Sequence, residues 1–425
     1  MLKSLSLENV GPAPTMELGF AKRLNVITGD NGLGKSFLLD IAWWAMTRQW
    51  PAELNPKLTS GKKALPRDAG SARISFEFTG KSRAKAYTSE FQPREGKWKG
   101  SAGRPANPGL VFYAMADGSF ALWDPARNYW LTKGDEDFQD RPPAYVFSPM
   151  EVWDGLENKD GTWLCNGLIR DWASWQKERG EPFDQLCDVL KVLSASPDEP
   201  LTPGELTRIS LDDARDMPTV RMPYGQDVPV VHASAGMRRI IALAYFMVWS
   251  WQEHQKAARL LGEQETHQAV FLIDEVESHL HPQWQRKVVP ALIKVMGALV
   301  RNASVQLITA THSPLVMASI EPFFNEKRDA WFDLDFVQDE VMLTRRDFRK
   351  HGDVSTWLMS EAFDLKSARA ETQEHLIEKA SRLLEQEEPD QAAIKRMHGK
   401  LVEALSPTDD FLFQWRYIGK RKGWL

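Results

Sequence analysis

The stretch Gly29-Asp-Asn-Gly-Leu-Gly34-Lys35-Ser36 restricts this chain more than any other, because it fits G-x-x-x-x-G-K-[ST] and stands between a strand-like run and a helix-like one. Residues 24 to 28 read Leu-Asn-Val-Ile-Thr, a short β-prone run that leads straight into the glycines. From 34 to 47 the residues are apolar nearly all round, which predicts a helix buried between a sheet and a second layer, with Trp43 and Trp44 in the core. Such a turn aims the backbone N–H groups around Asp30, Asn31, Gly32 and Gly34 at phosphate oxygens, and the helix N-terminus adds a positive dipole. Lys35 would reach the outer phosphates and Ser36 would hold Mg2+.

A second element supplies the loop with acids. Val270-Phe-Leu-Ile-Asp274-Glu275 is an apolar strand that ends in two carboxylates, a costly place for charge unless a metal or a reaction occupies it. Asp274 is placed to hold Mg2+ through water, and Glu275 to polarise an attacking water. Strand-end acids also serve as helix caps, so the pair takes its meaning from the loop before it. Third, Ser234-Ala-Gly236-Met-Arg238-Arg239 opens a hydrophobic helix about 40 residues ahead of the acids, with Ser234 as an N-cap. Fourth, Ala310-Thr311-His312-Ser313 follows the strand at 305–309, the next one after the acidic pair.

The order of these four motifs resembles the ABC-type ATPases, in the branch that holds SMC-like, RecF-like and OLD-family proteins. The resemblance implies an α/β P-loop NTPase head of ABC type, with ATP and Mg2+ as cofactors and ATP hydrolysis as the activity. It makes Lys35, Glu275 and His312 the catalytic set, His312 contacting the γ-phosphate. It also implies that Ser234 and Gly236 act in trans, meeting ATP held by the loop of another subunit, so the protein pairs with itself as a dimer or higher oligomer. Glu275-Val-Glu277-Ser-His279-Leu-His281-Pro282 looks like the segment common in OLD-like and bacterial defence ATPases, with His279 and His281 in a structural and dimer-contact role. Ala235 and Met237 depart from the family's signature. The candidates for its Gln loop are residues 148–151 and Gln176.

At 425 residues, 43% of them hydrophobic, the chain is folded and long enough for more than one substructure. The expected division is an ATPase core at 1–50 and 228–330, an inserted antiparallel β and helical region at 51–227, and a mainly helical C-terminal segment at 331–425. Within the insert, 73–78 and 111–115 read as strands of a small antiparallel sheet, and 166–193 as helical. A strand at 228–231 is expected in the core beside those at 270–273 and 305–309. The 197 residues from 37 to 233 carry no sustained heptad, which excludes a long coiled coil. Only two cysteines, Cys165 and Cys187, and no signal peptide or 18-residue apolar span point to a reducing cytoplasm and away from a membrane.

An OLD-type nuclease would need a further domain. Only 113 residues follow His312, and Asp333-Leu-Asp335 reads as an edge strand with solvent-facing acids. The resemblance therefore implies the ATPase subunit of a prokaryotic anti-phage assembly, similar to that of Septu-type systems, working with a separate effector such as a nuclease. The alternative is a RecF-like DNA-binding ATPase in repair. The net charge of −5 is too mild to define a partner, but residues 57 to 104 hold 12 Lys/Arg against 4 Asp/Glu, with Trp98 between Lys97 and Lys99, which makes DNA a candidate partner. The end of the chain, with Phe411, Phe413, Trp415, Arg416, Tyr417 and Lys420 to Lys422, is aromatic and basic, and reads either as a docking surface or as a cap on the ATPase sheet.

Overall fold

A computed structural model describes the chain except for residues 81–83, 101–105, 130, 134–135, 139–140, 301–302, 387–389 and 425. It divides into two compact units, Met1–Gly352 and Asp353–Leu425.

The first unit opens with β1 (Leu2–Glu8), β2 (Thr15–Gly19) and β3 (Leu24–Gly29), followed by helix α1 (Lys35–Thr47). Next come β4 (Arg73–Thr79), β5 (Ala84–Gln92), β6 (Lys97–Trp98), β7 (Leu110–Ala114), β8 (Phe120–Trp123) and β9 (Tyr145–Phe147). Helices α2 (Leu168–Glu178), α3 (Glu181–Val192) and α4 (Ala235–Leu261) precede β10 (Gln268–Ile273), α5 (Val288–Leu299), β11 (Ser304–Ala310), β12 (Asp329–Val337) and β13 (Glu340–Arg346). The central sheet has the order β9-β8-β7-β10-β11-β3-β12-β13. Its middle five strands are parallel, and antiparallel strands close both sides. A second, antiparallel sheet runs β2-β1-β4-β5-β6.

Alternation decides the layers. Val270 and Leu272 of β10 join one core with Leu39, Trp43 and Trp44 of α1 and Leu5, Ile74 and Phe76 of the antiparallel sheet. On the other face Phe112 and Phe271 meet at 5.3 Å, and Phe246 of α4 packs on Phe120 and Phe147. Helix α1 is thus covered on both sides, as its all-round apolar sequence requires.

Several sequence expectations change. Residues 110–114 belong to the central sheet, pairing in parallel with β10, since a run buried at every position suits a covered strand. The strand near 228 forms at 227–229 but in a small three-stranded sheet with 202–203 and 219–221. Asp333 is not solvent-facing: β12 lies inside the sheet, between β3 and β13, and Asp333 accepts from Thr28 at 2.6 Å and from Arg346. Arg346 also binds Asp335, so one cation balances both acids. Because β12 and β13 complete the central sheet, the strand-bearing unit runs on to Gly352. Trp98 is buried, donates its indole N–H to Ala64 and packs on Phe91 and Trp44. Of the basic residues around it, Lys57, Lys63 and Arg73 pair with carboxylates, while Lys81, Arg83 and Arg104 lie outside the described residues.

The second unit contains α6 (Glu371–Leu384), α7 (Gln391–Ala404) and α8 (Asp410–Arg421), the last two capped by Asp390 and Asp409. Ala380, Ile394, Leu401, Leu405, Leu412 and Trp415 form its core. The large apolar residues of α8 therefore split: Leu412 and Trp415 face inward, whereas Phe413 and Tyr417, one turn apart, are 72% and 60% exposed. Pro389 lies outside the described residues. Trp415→Ala should cost about 3–5 kcal/mol and bring on an early partial loss of helical signal in a thermal melt, ahead of the main transition.

Candidate functional site

In register, Ile273 pairs with Thr309 and Thr309 with Val26, so β10, β11 and β3 end side by side with their carboxyl ends on one edge. That edge is where ligands sit in open parallel sheets. Gly29 ends β3 at φ 129, and a Cβ there would come 2.3 Å from the carbonyl of Leu334 on the neighbouring strand, so only glycine lets the loop leave the sheet. Asp30, Asn31 and Gly32 are exposed, and Gly32, at φ 82, faces open space, which leaves room for phosphate oxygens.

Lys35 is buried, and its ammonium donates to the carbonyls of Gly29 and Asp30, both at 2.7 Å. Burial pushes its pKa down to about 8, against the pull of Asp274, Asp30 and Glu275. Asp274 sits at 2% exposure, and its backbone N–H is held by Ala114. Burial raises its pKa to about 6, opposed by the hydroxyl of Ser36 and reinforced by Glu275. Its Oδ1 is buried with no hydrogen-bond partner among the described residues. A carboxylate oxygen left without a partner beside a serine hydroxyl is a hard-oxygen set of the kind Mg2+ takes, so Ser36 and Asp274 fit a divalent cation. Glu275 follows with φ 44, a left-handed conformation that costs a non-glycine residue energy and turns its side chain out of the strand direction.

His312 completes the edge. It feels Lys35, Glu275 and Asp30, and burial, then Lys35, lowers its pKa. Glu277 ties the acid-bearing segment to the histidine-bearing one, accepting from the His312 amide at 2.5 Å and the Thr311 hydroxyl at 2.8 Å. Lys35, Ser36, Asp274, Glu275 and His312 therefore converge. Ser234 does not join them within its own chain: exposed at the start of α4, it accepts from the Met237 amide at 3.3 Å. Gly236 is buried, and a Cβ on it would come 2.6 Å from the His279 carbonyl. Among the described residues no cluster of His, Cys, Asp and Glu forms a metal site around His279 and His281.

Of the Gln-loop candidates, residues 148–151 leave the sheet at this edge, since β9 runs parallel to β7 and Phe147 aligns through Phe120 with Ala114, but they do so three strands away from β10. Glu151 closes a capping box on Ser148 and binds Asn55 and Lys57, and Gln176 bonds Trp172 and Gly204. The loop beside Asp274 is instead the one after β7, at 115–117. Sequence reading also passed over Asp40, one turn after Ser36, whose carboxylate accepts from the Tyr113 hydroxyl at 2.8 Å. The spacing of four from Ser36 was the available signal, since it sets both residues on one helix face.

Residues 24–318 match the family described as "AAA domain, putative AbiEii toxin, Type IV TA system". The Septu protein PtuA of Bacillus thuringiensis is 21% identical over 317 residues, covering 74% of this chain and 72% of that one. The Retron Ec83 probable ATPase of Escherichia coli is 23% identical over 156 residues, 36% of this chain and 26% of that one. Among solved structures, the SMC head domain from Thermotoga maritima covers 82% of this chain and 99% of its own, at 14% identity and a TM-score of 0.39. No helix among the described residues is long and apolar enough to cross a membrane.

Burial, and then Asp274 and Asp117, raise the Asp40 pKa to about 8 against the Tyr113 bond, while the unfolded chain keeps the ordinary carboxylate value. A raised acid contributes stability at low pH that is lost as pH climbs through the folded value. Asp40→Asn, which keeps an acceptor for Tyr113, should gain in melting temperature over wild type as pH rises from 4 to about 8, and the gain should level off above that in nucleotide-free protein.

Proposed function

Taking as premise that this chain belongs to the AAA domain family it matches over residues 24–318, we propose that it is an ATP-hydrolysing subunit of a prokaryotic anti-phage assembly that switches a separate effector such as a nuclease. The observation that carries the ATPase reading is the convergence of Lys35, Asp274, Glu275 and His312 at the carboxyl ends of β3, β10 and β11. The loop at 29–36 binds the phosphates through its amides, and Lys35 exchanges its two carbonyl partners for phosphate oxygens. Ser36 and Asp274 would hold Mg2+, which would supply charge neutralisation on the transferred phosphoryl group. Glu275 orients and takes a proton from the attacking water, and His312 senses the γ-phosphate from the next strand end.

Ser234 is exposed and spends its hydroxyl on its own helix, so its signature is available to a second copy. In this reading two subunits sandwich ATP, each lending Ser234 and Gly236 to the other's phosphate loop. The defence role rests on the likeness to the Septu protein PtuA and the Retron Ec83 probable ATPase. The alternative, a RecF-like DNA-binding ATPase, drew on the basic insert. With Trp98 in the core and Lys57, Lys63 and Arg73 paired to carboxylates, it has the weaker support.

Lys35→Ala should abolish nucleotide binding, whereas Glu275→Gln should bind ATP and stall, with turnover falling at least about a hundredfold. Turnover by Glu275→Gln at the wild-type rate would remove the assignment of the water-activating acid. Mixing Lys35→Ala with Ser234→Arg subunits should recover part of the activity, because one interfacial site in the mixed dimer is intact. Isolated mixed dimers that stay silent count against the sandwich. For the effector, co-expression with the product of a neighbouring nuclease gene should give a complex, and Phe413→Ser with Tyr417→Ser should weaken it without affecting ATP binding if α8 is the docking face.

A further inference from the structure

Arg239 stands three residues after Gly236 on α4, with its side chain turned back into its own subunit. One guanidinium nitrogen donates to the carbonyls of Met115, at 2.9 Å, and Ala116, at 3.2 Å, and the other donates to the carbonyl of Asp274 at 3.0 Å. These acceptors lie just past the ends of β7 and β10, two adjacent parallel strands. Among the described residues its hydrogen bonds go to carbonyls, although Asp274, Glu275, Asp117 and Glu277 are near enough to favour its charge. A planar fork with three neutral acceptors fixes geometry more than it neutralises charge.

The carbonyl of Asp274 belongs to the peptide link that joins the cation-holding acid to the water-activating one. Glu275 leaves that link at φ 44, so the tilt of the peptide plane sets where its carboxylate goes. A second contact clamps the same segment further on: Gly236 packs so closely on the His279 carbonyl that a Cβ would come 2.6 Å from it. The start of α4 therefore grips residues 274–279 at both ends, by Arg239 at Asp274 and by Gly236 at His279. Ser234 and Ala235, at the same helix start, are exposed.

We propose that Arg239 is a positioning residue that couples the two ATP sites of a paired assembly: contact of Ser234 and Gly236 with the partner's ATP is passed through α4 and the Arg239 guanidinium to the Asp274–Glu275 peptide, setting Glu275 for hydrolysis in its own subunit. The inference rests on the sandwich reading above and adds to it a direction of control, because each subunit then cleaves its ATP at the full rate only when its own signature is engaged, and the intact site of the mixed dimer above turns over at a reduced rate. Hydrolysis becomes cooperative in ATP as a consequence of one half-buried side chain.

Wild type, Arg239→Met, Arg239→Lys and Ser234→Arg should be compared for nucleotide affinity, kcat, Hill coefficient and amide exchange over residues 272–279 with and without ATP. Arg239→Met should bind ATP within about twofold of wild type, lose at least about tenfold in kcat, drop to a Hill coefficient of about 1, and lose the ATP-induced protection of 272–279. Ser234→Arg should lose the same protection from the other end of the lever. Arg239→Lys, which keeps a cation but not the fork, should recover part of kcat; a purely structural role would instead lower the melting temperature and leave the Hill coefficient and the ATP-induced protection as in wild type. Arg239→Met that matches wild type in kcat and Hill coefficient overturns the coupling. If Ser234→Arg also turns over normally, it is the two-copy reading that fails, whereas a stalled Ser234→Arg beside an unaffected Arg239→Met removes Arg239 alone.

Discussion

The nucleotide edge depends on β11 pairing in parallel with β10 on one side and β3 on the other. Parallel pairing is what brings three carboxyl ends to one side of the sheet, so that the phosphate loop, the acid pair and His312 leave the strands within reach of each other. Side chains reinforce the arrangement. The Thr309 hydroxyl bonds the Ile273 carbonyl at 2.8 Å, and Glu277 reaches from beyond β10 to Thr311 and the His312 amide. Parallel strands need long connections, and between β3 and β10 the chain places α1, strands β4 to β6 of the antiparallel sheet and the helical layer.

That geometry concentrates charge in a place with little water. Lys35 is drawn down and Asp274 drawn up by burial; Asp274 helps to keep Lys35 charged, and the Ser36 hydroxyl and Arg239 favour the charged form of Asp274. Lys35 answers by donating to its own loop, while Asp274 keeps one oxygen without a partner. A triphosphate with a divalent cation would resolve both conditions together, offering acceptors to the ammonium and a cation to the carboxylate. Asp40, sharing a helix face with Ser36, extends the acidic surroundings one turn further.

The second unit is built on another scale, its core cluster being six buried residues on and around α6, α7 and α8. So small a core cannot cover all its aromatics, and Phe413 and Tyr417 stay outside beside Arg416, Lys420 and Arg421. Trp98 shows the opposite outcome: flanked by two lysines it looks like a surface residue, yet its ring fills the space between Trp44 and Phe91.

The sequence by itself determined the local chemistry of this protein: the phosphate loop with its strand and helix, the acids at the end of an apolar strand, the capped helix at Ser234 and the strand before His312. These are short-range facts, set by glycine φ values, by β-branched runs and by the cost of charge at a strand end, and a reader of residues can find them. Tertiary structure alone decided which strands are neighbours. Residues 110–114 look the same whether they pair with β8 only or also with β10, and Asp333 on an edge strand cannot be told from Asp333 inside the sheet until β13 pairs beyond it. Arg239 belongs to the same class: a basic residue on a helix start reads as solvated, and only the approach of α4 to the ends of β7 and β10 makes its fork bind three carbonyls. The reason is that a sequence carries the preferences of each segment, whereas contacts between segments distant in the chain are settled by how the apolar faces of the layers can be buried together.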